Sequence, residues 1–245
     1  MTSPFSDDFL EALGAWQRGW KEDPARRKDL AAALKAQISG LPNHFRKAPA
    51  MCFRKRFLYR GDFASIFLVE AGLDEGPTSW TQAPRFAHTF HGFLRAEAVT
   101  AAIFMFEPRD DQVLVNITAL WDDAAFLKAI DDYAKRSGQN ADALNHFKAS
   151  QGEVIVHAPL RWNDIVGLTG IASAFDDLAD QMGIVEAARP ETLRALMDAE
   201  VYPGEPRWVW GRNAQAAALS ARNQVVDKIN ALIDGTGKVR PSASS

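Results

Sequence analysis

The chain has 245 residues, of which 47% are hydrophobic and 24% charged, and its formal net charge is -3. Such values describe a globular chain with a substantial core and exclude a polyanion binder working by bulk charge, so any basic footprint has to be local. The single cysteine, Cys52, rules out an internal disulfide and a four-thiolate zinc site, and no apolar run reaches the roughly 20 residues of a membrane span.

Residues 1–8 lack the basic and apolar regions of a signal peptide. With the lone cysteine this predicts a cytoplasmic protein where it is made, although an export route that needs no signal leaves no mark on a sequence. Ser6 reads as an N-cap with Asp7 and Asp8 in the first turn, Phe5 and Leu10 at staple positions, and Phe9, Leu13 and Trp16 on one face. A second helix starts at Asp23-Pro24, carries Leu30, Leu34 and Ile38 on one side, and stops at Gly40-Leu41-Pro42. From 44 to 60 the cations His44, Arg46, Lys47, Arg54, Lys55, Arg56 and Arg60 alternate with Phe45, Phe53, Phe57 and Tyr59. Residues 51–60 read as a strand. For Lys47, Arg54 and Lys55 the expectation is a solvated edge whose charges oppose aggregation.

Arg60-Gly61 ends that strand as the chain turns. A short helix is predicted over 63–71, closed by Gly72, and a loop through Glu75-Gly76-Pro77 leads to Thr78-Ser79-Trp80-Thr81. Gln82-Ala83-Pro84 opens a further helix with Phe86, Ala87 and Phe90 facing the core. Strands are predicted over 100–106 and 112–120, the second from the alternation of Val113, Val115 and Ile117 with Asn116 and Thr118, with a turn at 108–111 between them. A surface helix over 122–135 places Phe126, Leu127, Ile130 and Tyr133 inward and ends by Gly138.

The polar stretch 139–150 runs into Gln151-Gly152-Glu153. There Gly152 allows a tight turn, and the β-branched Val154, Ile155 and Val156 favour a buried strand. Glu153 is thus a carboxylate fixed where a turn meets a strand. Trp162-Asn163-Asp164 reads as a turn, and beyond Gly170 the chain is mainly helical, with Leu219, Val226, Ile229 and Ile233 marking a long last helix ended by Gly235. Three further features stand outside these elements. His88 and His91 form a surface pair without a third ligand, Cys52 lies in a basic stretch that lowers a thiol pKa, and Trp208 and Trp210 pack from an aromatic loop.

Three words now stand in order: Tyr59-Arg60-Gly61; Thr78-Ser79-Trp80-Thr81 with Pro84 and Ala87 behind it; and Gln151-Gly152-Glu153-Val154-Ile155-Val156. Together they resemble the mono-ADP-ribosyltransferase superfamily, in the branch with an Arg, Ser-x-Ser/Thr, Glu arrangement, over residues 51–168. The resemblance implies an α+β chain: a split β-sandwich core over 51–170, helical additions at 1–50 and 171–235, and a flexible tail at 236–245. It implies NAD as substrate, bound in a cleft without a Rossmann domain, and no metal. In this reading Glu153 orients the ribose hydroxyls and stabilises positive charge on the sugar, while Ser79 steadies the cleft and Glu153 through its hydroxyl. Arg60, with Gly61, holds the pyrophosphate. Thr81 is a structural partner, Trp80 packs beside the cofactor, and Gln151 faces the acceptor. A Gln there departs from members that modify arginine. The implied partner is a macromolecule, a protein first and a nucleic acid second, with no membrane, as in a toxin-like activity.

Two other readings stand beside it. One is an NAD glycohydrolase of the same fold. The other is a binding module whose basic, aromatic strip at 44–60 stacks bases and neutralises phosphates.

Overall fold

Ser6 does what its position asks: in a computed structural model of the chain its hydroxyl accepts the Phe9 amide at 3.1 Å and starts helix α1, Asp7–Arg18. The structure describes residues 4–19, 23–48, 50–90, 98–136, 138–147, 151–170, 175, 179–199 and 208–236. These combine helices with antiparallel strands, an α+β chain. They fall into two units, Met1–Lys55 with Asp74–His91 and Met105–Pro159, and Arg56–Leu73 with Gly92–Phe104 and Leu160–Ser245.

The first unit is a helical layer on a sheet. Asp23 accepts the amides of Ala25 and Arg26 and starts α2, Pro24–Gln37, with proline in its first turn. Four strands follow the order β4 (Val113–Asn116), β5 (Glu153–Val156), β2 (Thr78–Thr81) and β1 (Cys52–Leu58), which begins in this unit; all three pairings are antiparallel. The core gathers Phe9, Leu13 and Trp16 of α1, Leu34, Phe45 and, from β5, Ile155. Gly14 lets α1 sit close to the turn before α6, Ala141–Phe147, because a Cβ at Gly14 would lie 2.6 Å from Asn140 Cβ.

Three expectations change here. The strand predicted over 112–120 ends at Asn116, whose side chain accepts the Ala119 amide at 3.1 Å and starts a short helix α4, Ile117–Trp121. Asn is a strong N-cap, and the apolar alternation through Ile117 hides it. In α5, Ala124–Lys135, Leu127 is 40% exposed while Phe126, Ile130 and Tyr133 are buried. The helix Pro84–Thr89, α3, has Pro84 at its first position; Ala87 is buried and Phe90 exposed.

In the second unit β3 (Thr100–Phe106, of which Met105 and Phe106 belong to the first unit), β6 (Ile165–Gly170) and β7 (Trp208–Trp210) follow one another, antiparallel where β6 meets each neighbour. The helix predicted over 63–71 narrows to a π-helical turn, Ala64–Leu68. Gly72 follows at φ +79, where a Cβ would lie 2.6 Å from the Leu160 carbonyl oxygen. Trp208 and Trp210 stack with ring centroids 5.2 Å apart, and Trp210 lies over Gly167, whose missing side chain makes room for the ring. Helix α7 covers Arg189–Asp198 and α8 covers Arg212–Thr236. His91 and residues 237–245 lie outside the described residues, as do residues 203–207 of the aromatic loop. Among the described residues no helix is long and apolar enough to cross a membrane.

Candidate active site

The turn Gln151-Gly152-Glu153 is clamped against the end of β2. Gly152 turns the chain at φ +59. Its carbonyl accepts the Gln82 amide at 2.9 Å, and the Thr81 hydroxyl donates to the Gln151 carbonyl while accepting the Ala83 amide at 2.9 Å. Thr81 also stands opposite Glu153 in the antiparallel register, as Ser79 stands opposite Ile155. Alternation along the strands puts Ser79, Thr81, Glu153 and Ile155 on one face.

That face carries a connected polar group. The Ser79 hydroxyl donates to Glu153 Oε1 at 2.5 Å, a short bond of the charge-assisted kind, and the Trp16 indole N–H donates to Ser79 Oγ at 3.2 Å. Glu153 is 7% exposed. Burial raises its pKa above the ordinary carboxylate value, and the Ser79 hydroxyl, the Gln17 amide and the Trp16 indole oppose that rise. Burial wins because none of these neighbours carries a full positive charge. Gln17 lies close enough to favour the ionised carboxyl, yet neither its Nε2 nor its Oε1 reaches a partner in hydrogen-bond geometry.

Beneath Ser79 a buried ion network fixes the strand. Arg54 Nη1 donates to the Ser79 carbonyl at 3.3 Å, and Arg54 Nη2 pairs with Glu75 at 2.7 Å, with the two side chains only 12% and 11% exposed. Arg27 Nη1 approaches the same carboxylate at 3.8 Å. The solvated edge expected for Arg54 is therefore corrected: its guanidinium is an internal brace of β2. Lys55 is likewise engaged, donating to the His88 carbonyl at 2.9 Å, and partial burial lowers its pKa to about 8. Lys47 keeps the solvated character, in an exposed pair with Asp110.

Arg60 belongs to the second unit and sits at the corner of a turn. The Asp62 amide donates to the Tyr59 carbonyl at 2.9 Å, and the Asp62 carboxylate accepts the Tyr59 amide and pairs with Arg56 at 3.3 Å. Arg56 also lies over the Tyr59 ring, 5.7 Å from its centroid. The frame holds Arg60 and Gly61 outward, and the Arg60 guanidinium has no hydrogen bond or ion pair among the described residues.

The remaining candidates are placed as follows. Gln151 is half-buried, its backbone held by Thr81. Trp80 lies on the opposite face from Ser79, 3% exposed, and gives its indole N–H to Thr78 at 3.1 Å. Burial pushes the Cys52 thiol up to about 11, which corrects the expectation of a thiol activated by its basic neighbours. No group of three metal-ligating side chains occurs among the described residues. Trp16 and Gln17 were absent from the expected site, although Gln17 follows Leu10, Leu13 and Gly14 at helical spacing and so falls on the apolar stripe.

Comparison with protein families, curated proteins and solved structures gives no match in any of the three.

Proposed function

We propose that the chain is a mono-ADP-ribosyltransferase that transfers ADP-ribose from NAD to a macromolecular acceptor. The observation that carries this reading is the Ser79 hydroxyl bonded at 2.5 Å to a carboxyl buried on the first residue of β5. A carboxyl withheld from water, oriented on one oxygen and with no cation against it among the described residues, suits a transition state in which positive charge grows on a sugar. The mixture of helices with antiparallel strands fits the α+β class that this reading needs.

The chemistry balances without a further reactant. The C1′–N bond of the nicotinamide ribose breaks, and its electron pair leaves with nicotinamide, which becomes neutral. Ionised Glu153 lowers the energy of the oxocarbenium-like sugar and holds its hydroxyls. A lone pair of the acceptor then closes on C1′, and the acceptor proton passes to solvent. Gln151 cannot take that proton as a carboxylate would, so an acceptor that is already nucleophilic fits best.

The test is incubation of purified protein with NAD labelled in the adenylate half, together with a cell lysate. Nicotinamide release with label on a macromolecule supports transfer. Release with all label in free ADP-ribose makes the chain a glycohydrolase, and no release removes the reading.

A further inference from the structure

We propose that Gln17 is a substrate-contacting residue that, with Glu153, reads the vicinal diol of the ribose bound at this site. The proposal rests on the NAD reading above. Its starting point is a side chain 8% exposed whose amide nitrogen and oxygen both lack a hydrogen-bond partner. Buried polar groups are satisfied in the great majority of cases, and one left over beside a carboxyl asks what completes it.

The inventory of unmet groups selects the ligand. Ser79 occupies Glu153 Oε1. Ser79 is the side chain in hydrogen-bond geometry with Glu153 among the described residues, so Oε2, which the nearby Gln17 amide and Trp16 indole favour only from a distance, can still accept; Gln17 Oε1 also accepts, and Gln17 Nε2 donates twice. A phosphate or carboxylate brings acceptors only and meets the charge of Glu153. An ammonium pairs with Glu153 but leaves Nε2 with nothing to donate to. Adjacent hydroxyls meet all three needs: one donates to Glu153 Oε2, its neighbour donates to Gln17 Oε1, and an oxygen of the pair accepts from Nε2. Position is also fixed. The close approach that Gly14 permits at Asn140 holds α1 in place, and the Trp16 indole ties the neighbouring residue to Ser79.

An amide buried without partners adds nothing to folding, so an apolar side chain of similar volume is tolerated there or stabilises. The experiment compares nicotinamide release from NAD and from its 2′-deoxy and 3′-deoxy analogues at the nicotinamide ribose, for the wild type and Gln17→Met, with thermal midpoints alongside. The wild type should turn over each analogue at least about tenfold less efficiently than NAD, since a site built to bond a hydroxyl rejects its absence strongly. Gln17→Met should erase the penalty for one analogue, keep the other, and melt at or above the wild-type midpoint. Gln17→Leu serves if the Met variant does not fold. Both penalties intact overturn the proposal and leave the functional reading standing; a wild type that releases no nicotinamide overturns both.

Discussion

The start of β5 and the cationic strip at 44–60 both place charge where chemistry is sought, and the structure treats them differently. In the strip Arg54 meets Glu75, Arg56 meets Asp62, Lys47 meets Asp110, and Lys55 meets a helix carbonyl. Those four cations are answered from within the chain, whereas Arg46 Nε is buried without a partner and Arg60 is exposed with none among the described residues. At Glu153 one carboxyl oxygen has a donor, no cation stands against it among the described residues, and an amide without a partner in hydrogen-bond geometry lies alongside. A charge met by its own fold supports the fold, whereas a charge left half-met is ready for a ligand. The comparison favours the site at Glu153 over the strip as the seat of function.

The largest effect that tests this contrast is on stability. Glu75→Gln leaves Arg27 and Arg54 close together without their shared carboxylate, at 16% and 12% exposure. It is expected to cost about 3–5 kcal/mol, read from the denaturant midpoint. A loss within the range of an exposed pair, under about 1 kcal/mol, would return Arg54 to a solvated edge.

Glu153→Gln should act in the other direction and only at high pH. Burial holds the folded-state pKa of Glu153 above the ordinary 4.5, so between the two values the folded chain keeps a proton that the unfolded chain has lost. The stability this gives is complete below the unfolded value and is lost as pH rises through the folded one. The variant should match the wild type near pH 4 and melt about 2–4 °C higher at pH 8. An advantage at pH 4 that vanishes at pH 8 would mean the carboxylate is favoured by the fold.

The smallest effect concerns the strip. Wild type and the double variant Arg54→Ala, Arg56→Ala should bind nucleic acid equally weakly, with no steep salt dependence. Tight, salt-sensitive binding by the wild type alone would restore the strip as the working surface.

Much of the frame was legible from local chemistry. Ser6 and Asp23 announce their helices because a cap acts within three residues, and Gly152 with three β-branched residues announces the turn and strand at Glu153. What escaped depends on distant partners. Arg54 reads as solvated until Glu75, 21 residues on, is folded against it. Asn116 is a cap inside an apolar alternation, and α6 lies in a stretch too polar to show a face. Trp16 reads as core, and only contact with Ser79, 63 residues later, reveals the work of its N–H. The polar residue on the apolar stripe of α1, Gln17, was the available signal.

The most direct measurement is nicotinamide release from NAD at pH 8 by purified wild type and Glu153→Gln, with folding of both followed by thermal melting. The account expects release by the wild type, a fall on the order of a hundredfold or more in the variant, and an intact fold in both. Equal rates in the two proteins, or no release by the wild type, would contradict it.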